Sequence, residues 1–248
     1  MSRVLVIPDS HLNTSVITRG LEIAKKKFAD KIVMLGDYFD DWFATDEEYE
    51  HMAKFLKKTI NGNPAIIPLY GNHEMSYMSS KHRASGFNSR MEGVVNNCVK
   101  NDHRFLYAWS CDGVLYTHAG LTNEWADTFH ILTANEKRLQ MKGNAIADKI
   151  ADRINGQTSI DPLCTVGPAR GGKQVPGPLW CDASELNYDC PKFLQQVVGH
   201  TPVKEITKIG PCFLTDVFSN GNDCDEYLFV KDGTPEILKY NEVMNYGV

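Results

Sequence analysis

An amide oxygen, an imidazole and a carboxylate stand side by side in Gly71-Asn72-His73-Glu74, directly after the apolar run Ala65-Ile66-Ile67-Pro68. Such a set at the end of a strand lies where an open α/β sheet places its chemistry. The same construction recurs elsewhere: residues 4–8 run into Asp9-Ser10-His11, residues 32–36 into Asp37, residues 114–117 into His118, and residues 197–199 into His200. Apolar runs that each close on a metal-competent oxygen or nitrogen are most simply explained by one convergent site.

Asp9 and His11 are two apart on an extended segment, so both side chains can lean to one side and grip one cation. Asp37 is the natural bridging ligand, because a carboxylate can share its oxygens between two dications. Asn72, His118 and His200 can then complete a second site. Carboxylate, imidazole and amide oxygen without thiolate suit two divalent ions, manganese first, with iron, zinc or nickel as the other candidates. Such a pair polarises a phosphoryl group, makes a bridging water available as hydroxide at neutral pH and aligns in-line attack. The departing oxygen then needs a proton. His73 is placed to supply it as general acid, and Asp40 to hold that imidazole and raise its pKa.

The elements that must bring these tips together follow from periodicity. Residues 13–28 carry Val16, Ile17, Leu21, Ile23, Ala24 and Phe28 at helical spacing, with Asn13 or Thr14 as N-cap and Lys25, Lys26 and Lys27 suiting the C-terminal end of the dipole. The second strand spans residues 31–35. Asp46-Glu47-Glu48 opens a helix that turns Met52, Ala53, Phe55, Leu56 and Ile60 inward and stops at Asn61-Gly62. Residues 75–99 blur and read as a loop or short helix beside the site. Residues 104–109 and 113–117 alternate as two antiparallel strands about Cys111-Asp112-Gly113. Helical spacing returns at Ile146, Ala147, Ile150, Ala151 and Ile154 and ends at Asn155-Gly156. Residues 157–177, rich in Gly and Pro, read as a long surface loop. Runs at 193–198, 212–218, 226–230 and 236–240 read as strands, an antiparallel finish to a sheet that began parallel.

At 248 residues the chain is read as one domain over residues 1–248, with no internal repeat or linker. Its 26 basic and 31 acidic residues give a net charge of -5, so no general positive field draws nucleic acid or membrane phosphates. Attraction for an anionic substrate must be local, with bound metal ions as the source. Seven cysteines, an odd number with no C-x-x-C pair, favour reduced thiols. The N-terminus runs directly into a strand pattern without a leader, and no apolar run approaches about 18 residues. The expectation is a soluble cytoplasmic protein with neither a membrane nor an extended nucleic acid as partner.

Asp9-Ser10-His11, Gly36-Asp37-Tyr38-Phe39-Asp40, Gly71-Asn72-His73-Glu74, His118-Ala119-Gly120-Leu121 and Gly199-His200-Thr201-Pro202 resemble, in order, the blocks of the calcineurin-like metallophosphoesterases. Their G-N-H-E, H-A-G-L and G-H-T-P forms most resemble the branch of bacterial and bacteriophage protein-serine/threonine phosphatases. The resemblance covers most of the chain. It implies an α/β fold of four layers, an αββα sandwich with two mixed sheets between helices. It also implies Asp9, His11 and Asp37 on one metal, Asp37, Asn72, His118 and His200 on the other, and His73 with Asp40 as the acid.

Two departures stand out. Pro8 precedes Asp9 where the family commonly has glycine, a change that leaves the ligand intact. The phosphatase branch follows its second block with an arginine that clamps phosphate, whereas this chain has Asp41 followed by Trp42. Arg170, in Pro168-Ala169-Arg170-Gly171-Gly172, is the candidate replacement and Arg83 the second choice, since a guanidinium fork fits phosphate oxygens bidentately. An ordinary surface role is the rival reading for Arg170, and a solvated loop role the reading for Asp41. His51, His82, His103 and His130 lack the block context and are read as structural, as Trp109, Trp125 and Trp180 are read as packing.

The function expected is a dinuclear metal-dependent hydrolase of phosphate monoesters, protein-phosphatase-like. Its substrate would be a phosphoprotein or a small phosphate ester or nucleotide. A phosphodiesterase or dinucleoside-polyphosphate hydrolase on the same metal core is the alternative, because the missing clamp suits a diester, which carries one charge fewer. A nuclease is disfavoured by the acidic balance. A non-catalytic scaffold is disfavoured by the presence of every ligand and of His73.

Overall fold

The parity of the first strand decides the architecture. In β1 (Arg3–Ile7), Leu5 and Ile7 pack with Val16, Ile17 and Ile23 of helix α1 (Thr14–Lys26), while Val4 and Val6 join a separate apolar layer with Val114, Tyr116 and Val197. A strand apolar on both faces needs cover on both. Here one cover is helical and the other is a second sheet. The computed structural model describes residues 1–100, 102–133, 144–219, 221 and 224–245.

The first sheet has the order β10-β9-β1-β2-β3, built from β2 (Lys31–Met34), β3 (Ile66–Pro68), β9 (Glu226–Lys231) and β10 (Thr234–Lys239). β1, β2 and β3 run parallel, and β9 and β10 are antiparallel additions at the edge. The second sheet has the order β4-β5-β6-β8-β7, from β4 (Ala108–Cys111), β5 (Val114–Thr117), β6 (Gln195–Val198), β7 (Thr207–Ile209) and β8 (Cys212–Leu214). It too is mixed, with β5, β6 and β8 parallel between antiparallel edges. α1 and α2 (Asp46–Gly62) cover the first sheet. α6 (Asn144–Asn155) covers the second sheet through Ala108 and Leu115, and α7 (Ala183–Asp189) covers it through Val198 and Cys212. These are the four layers expected.

Local chemistry sets the helix starts. Asn13 caps α1 by accepting from Ser15 N, and Thr45 with Glu48 forms a capping box for α2. The blurred stretch 75–99 resolves into α3 (Asn72–Met78), a single 3-10 turn at Ser89–Met91 and α4 (Glu92–Val99). No clear period marked them because they are short and α3 is buried nearly all round.

Some expectations shift. The strand read over 104–109 lies at Ala108–Cys111, and pairing of Cys111 with Val114 contracts the turn to Asp112-Gly113, both left-handed at φ 48° and 80°. The runs at 193–198 and 212–218 are not part of an antiparallel finish. β6 and β8 pair in parallel inside the second sheet, so only β9 and β10 complete the first. The edge strand β7, the helices α5 (Asn123–Thr128) and α7, and the last helix α8 (Tyr240–Asn245) had no assignment, although the capping box Asp182 with Glu185 is a readable start for α7. Within residues 157–177 the one regular piece is the 3-10 turn Pro168–Arg170. The seven cysteines are free, yet Cys190 and Cys212 have their Sγ atoms 2.7 Å apart, a proximity that spacing could not show. Among the described residues no helix is long and apolar enough to cross a membrane.

Candidate metal centre

The C-terminal ends of β1, β2, β3, β5 and β6 carry Asp9, Asp37, Asn72, His118 and His200 to one place. The backbone is bent to do so: His11, Asp37, Asp40 and His200 sit at φ 39°, 50°, 70° and 66°, a region that L-residues occupy at a cost of about 1–3 kcal/mol each. Backbone hydrogen bonds hold these bends. Ser10 N and His11 N both donate to Asp37 O, at 3.1 and 3.0 Å, and Gly199 N donates to His118 O at 2.8 Å. Gly71 and Gly199 have no side-chain option, because a Cβ would run into the carboxylates of Asp37 and Asp9 respectively.

Glu74 fastens this framework. Its Oε2 accepts from Asp37 N and Gly71 N and its Oε1 from Tyr38 N, each at 2.9 Å, so one carboxyl joins the end of β2 to the start of α3. Burial, with Asp37 next to it, pushes its pKa up to about 7. The sequence offers the Glu74 carboxylate beside Asn72 and His73 but not this backbone-clamping role.

Four donor atoms crowd together at the centre. His118 Nε2 lies 2.8 Å from Asn72 Oδ1, 3.2 Å from His200 Nδ1 and 3.3 Å from Asp37 Oδ2, and His200 Nδ1 is 3.0 Å from Asn72 Oδ1. His118 Nδ1 donates to Leu35 O at 2.9 Å, so in the neutral ring Nε2 carries only a lone pair. Burial works against a charged His118, but Asp37 and Asp9 hold it up at about 9, so that a proton is retained among these acceptors. Burial alone would raise Asp37, yet His118, His73 and His11 hold it well below the usual carboxylate range. His200, buried and close to His118 and Arg170, is kept well below the usual imidazole range and stays neutral, with its Nε2 buried and without a hydrogen-bond partner. Lone pairs from an amide, two imidazoles and a carboxylate around one point fit a divalent cation.

A second group, His11, Asp37 and His73, brings its ligand-capable atoms within 4.8 Å of one another, just as Asp37, His118 and His200 do. Asp37 is common to both, as a bridging carboxylate must be. His11 Nδ1 is committed to Asp40 O at 2.8 Å, leaving Nε2 directed at Asp37 Oδ2, 3.9 Å away. Asp9 stands slightly apart: Oδ1 accepts from His200 N at 3.0 Å and Oδ2 is buried with no hydrogen-bond partner. Burial, reinforced by the nearby Asp216, pushes its pKa well up, and His118, with its Nδ1 3.8 Å from Asp9 Oδ1, offsets this only in part. Asp216 is itself buried and was not singled out in the sequence.

His73 Nδ1 meets Asp40 Oδ2 at 2.9 Å, and His73 Nε2 is 3.9 Å from Asp37 Oδ2. Burial lowers the affinity of His73 for a proton, but Asp37 and Asp40 outweigh it and its pKa is raised. Asp40 is in turn fixed by the hydroxyls of Tyr49, at 2.9 Å, and Tyr77, both donating to Oδ1. Neither tyrosine carries a sequence signal for this duty: Tyr49 sits nine residues on, inside α2, and Tyr77 beyond both α2 and β3.

The two arginines part company. Arg170 Nε donates to Asp182 Oδ2 at 2.9 Å, and its Nη2 reaches Thr201 Oγ1 at 3.2 Å and His200 O at 3.5 Å, beside the cluster. Arg83 stacks over the Phe87 ring at 4.3 Å and does not line the cavity that opens on the site. That cavity, about 410 Å³, is lined by His11, Asp40 and His73 together with Asp41 and Trp42.

A calcineurin-like phosphoesterase model matches residues 2–204. No curated protein matches the chain. Among solved structures, the cold-active protein-tyrosine phosphatase of a psychrophilic Shewanella species is 19% identical with a TM-score of 0.55, over 96% of this chain and 81% of that one. A further structure of a cold-active protein tyrosine phosphatase gives 19% identity and a TM-score of 0.56, over 98% and 80%. At such identities the likeness is one of fold. The family match spans every strand tip described above, and the chain belongs to the calcineurin-like phosphoesterases and is a phosphoric ester hydrolase.

Proposed function

We propose that the chain hydrolyses phosphate monoesters with two divalent cations, manganese first among them, held by Asp9, His11 and Asp37 on one side and by Asp37, Asn72, His118 and His200 on the other. When bound, such ions supply Lewis acidity toward the phosphoryl oxygens and an attacking oxygen at neutral pH. The observation that carries the reading is the pairing of His73 with Asp40 at 2.9 Å beside the shared carboxylate of Asp37. Asp40 fixes the ring, and Asp37 together with Asp40 favours its protonated form, so Nε2 can give its proton to the departing alkoxide. Arg170 supports a monoester because it is the guanidinium that reaches His200 and Thr201, where a phosphate oxygen can be gripped. Seven free cysteines support residence in the cytoplasm.

A second reading, a phosphodiesterase, is favoured by one observation: Asp41 lines the cavity at the position where the phosphatase branch has its clamp. Comparing manganese-loaded protein on p-nitrophenyl phosphate and on its bis ester tests both. The monoester is expected to turn over faster, and a His73→Asn variant is expected to lose most of that rate. Faster turnover of the bis ester reverses the assignment, and equal rates in wild type and His73→Asn remove the acid.

A further inference from the structure

The wall of the active cavity beyond His73 takes no part in the chemistry above. It includes Asp41, Trp42, Gly86 and Phe218, and among the described residues no lysine or arginine lines the cavity. Trp42, which lines the cavity, is 74% exposed, and Phe218, which also lines it, is partly buried. Gly86 adopts φ 83°, which lets its loop pass close to the Cβ of Asp40 and shape the floor. Arg170, whose guanidinium lies beside the cluster, is not part of this wall.

A proton donor faces its leaving group. Resting on the assignment of His73 as that donor, the leaving group must extend from His73 into this cavity and meet Asp41 and Trp42. Carboxylates there repel a leaving group that carries phosphate or carboxylate, and favour one that carries positive charge. Flat apolar faces at Trp42 and Phe218 favour a ring over an alkyl chain. An arginine in the place of Asp41 would have drawn the phosphate itself toward this wall. The carboxylate instead leaves the phosphate to Arg170 and gives the wall to the alcohol.

We infer that this cavity is a leaving-group subsite for a phenolic phosphate ester with positive charge close to its ring, and that Asp41 and Trp42 determine that selectivity. A nucleotide leaving group, as in dinucleoside polyphosphates, is disfavoured by the same wall.

The test uses the manganese-loaded full chain and tyrosine phosphopeptides of one length, the phosphorylated ring flanked by lysines in one and by glutamates in the other. Wild type is expected to prefer the lysine peptide in kcat/KM by about fivefold, the scale of one partly exposed charge pair. Asp41→Lys is expected to cancel or invert that ratio, which is internal to each protein and so independent of its overall activity. Trp42→Ala is expected to shrink the advantage of a tyrosine over a serine phosphopeptide. Both side chains are exposed, so the variants fold. Equal turnover of the two peptides by wild type, or a ratio untouched by Asp41→Lys, overturns the subsite and leaves the hydrolase standing. Absence of turnover on every ester, p-nitrophenyl phosphate included, overturns the hydrolase reading and the subsite with it.

Discussion

His73 Nδ1 and Asp40 Oδ2 lie 2.9 Å apart, and the tyrosines at 49 and 77 anchor the other oxygen of that carboxyl. The ring therefore has one orientation and one tautomer available, with its second nitrogen turned toward Asp37. As donor, His73 must hold its proton, and its pKa is raised above the ordinary imidazole value. The rate should fall as pH rises through that raised pKa. Asp40→Asn removes a raising influence, so the alkaline limb of the kcat profile is expected to move to lower pH. A limb that stays in place in Asp40→Asn assigns it to another group.

Replacing the donor should matter most where the leaving group is poor. His73→Asn is expected to lose about 10²-fold or more on phenyl phosphate and distinctly less on p-nitrophenyl phosphate, whose alcohol departs readily without a proton. Equal losses on the two esters would point to a positioning role for the ring.

Metal binding and protonation compete at His118. In chelator-treated protein His118 holds its proton up to about 9, and a cation must displace it from Nε2. Calorimetry near pH 7.5 in buffers of different ionisation enthalpy is expected to show proton release on manganese binding. The sign for stability follows from a folded pKa above the unfolded value of 6.5: the contribution of His118 is complete below that value and is lost as pH rises through about 9. Glu74, raised from 4.5 to about 7, adds a loss in the same direction at lower pH. The melting temperature of the chelated protein is thus expected to drop between pH 6.5 and 9, and that of the loaded protein to drop less.

Glu74→Gln exchanges a group that accepts three backbone N–H bonds for one with a single acceptor oxygen. At least one buried donor at the end of β2 or the start of α3 is then left without a partner, at a cost of about 1–3 kcal/mol. Urea unfolding should register the loss, and manganese affinity should weaken because Asp37 and Asn72 are no longer held together. Unchanged unfolding would show that water replaces the carboxylate.

Arg170→Lys keeps the charge and loses the fork. KM for a monoester dianion is expected to rise about tenfold, on the order of one charge-assisted hydrogen bond, with a smaller change for a diester. Asp182→Asn, which loosens Arg170 without removing it, should give a milder version of the same split in steady-state kinetics.

Much of this was legible beforehand, for identifiable reasons. Apolar runs that end on Asp9, Asp37, Asn72, His118 and His200 announce strand tips, because a strand buried on both faces has no polar position until it leaves the sheet. Order along the chain carried the family, and the four layers came with it. What the sequence could not convey depends on three-dimensional contact between distant segments. Glu74 reaching the amides of Asp37 and Tyr38, the tyrosines on Asp40, and Asp182 on Arg170 are such contacts. Strand ends were misjudged at 104–109 and 212–218, where turn chemistry and register, not hydrophobicity, set the limits. Of the two arginines, only position in space separates Arg170, beside His200, from Arg83, stacked on Phe87.

The apolar layer between the sheets has a further consequence. Val33 and Leu35 precede Asp37, and Val197 precedes His200, so the thickness of that layer fixes how far the carboxylate stands from the imidazole. Close-packed interiors transmit the volume of an added methylene as displacement. Val197 and Val33 therefore act as shims for an active centre they never touch, and its gap is calibrated by grease.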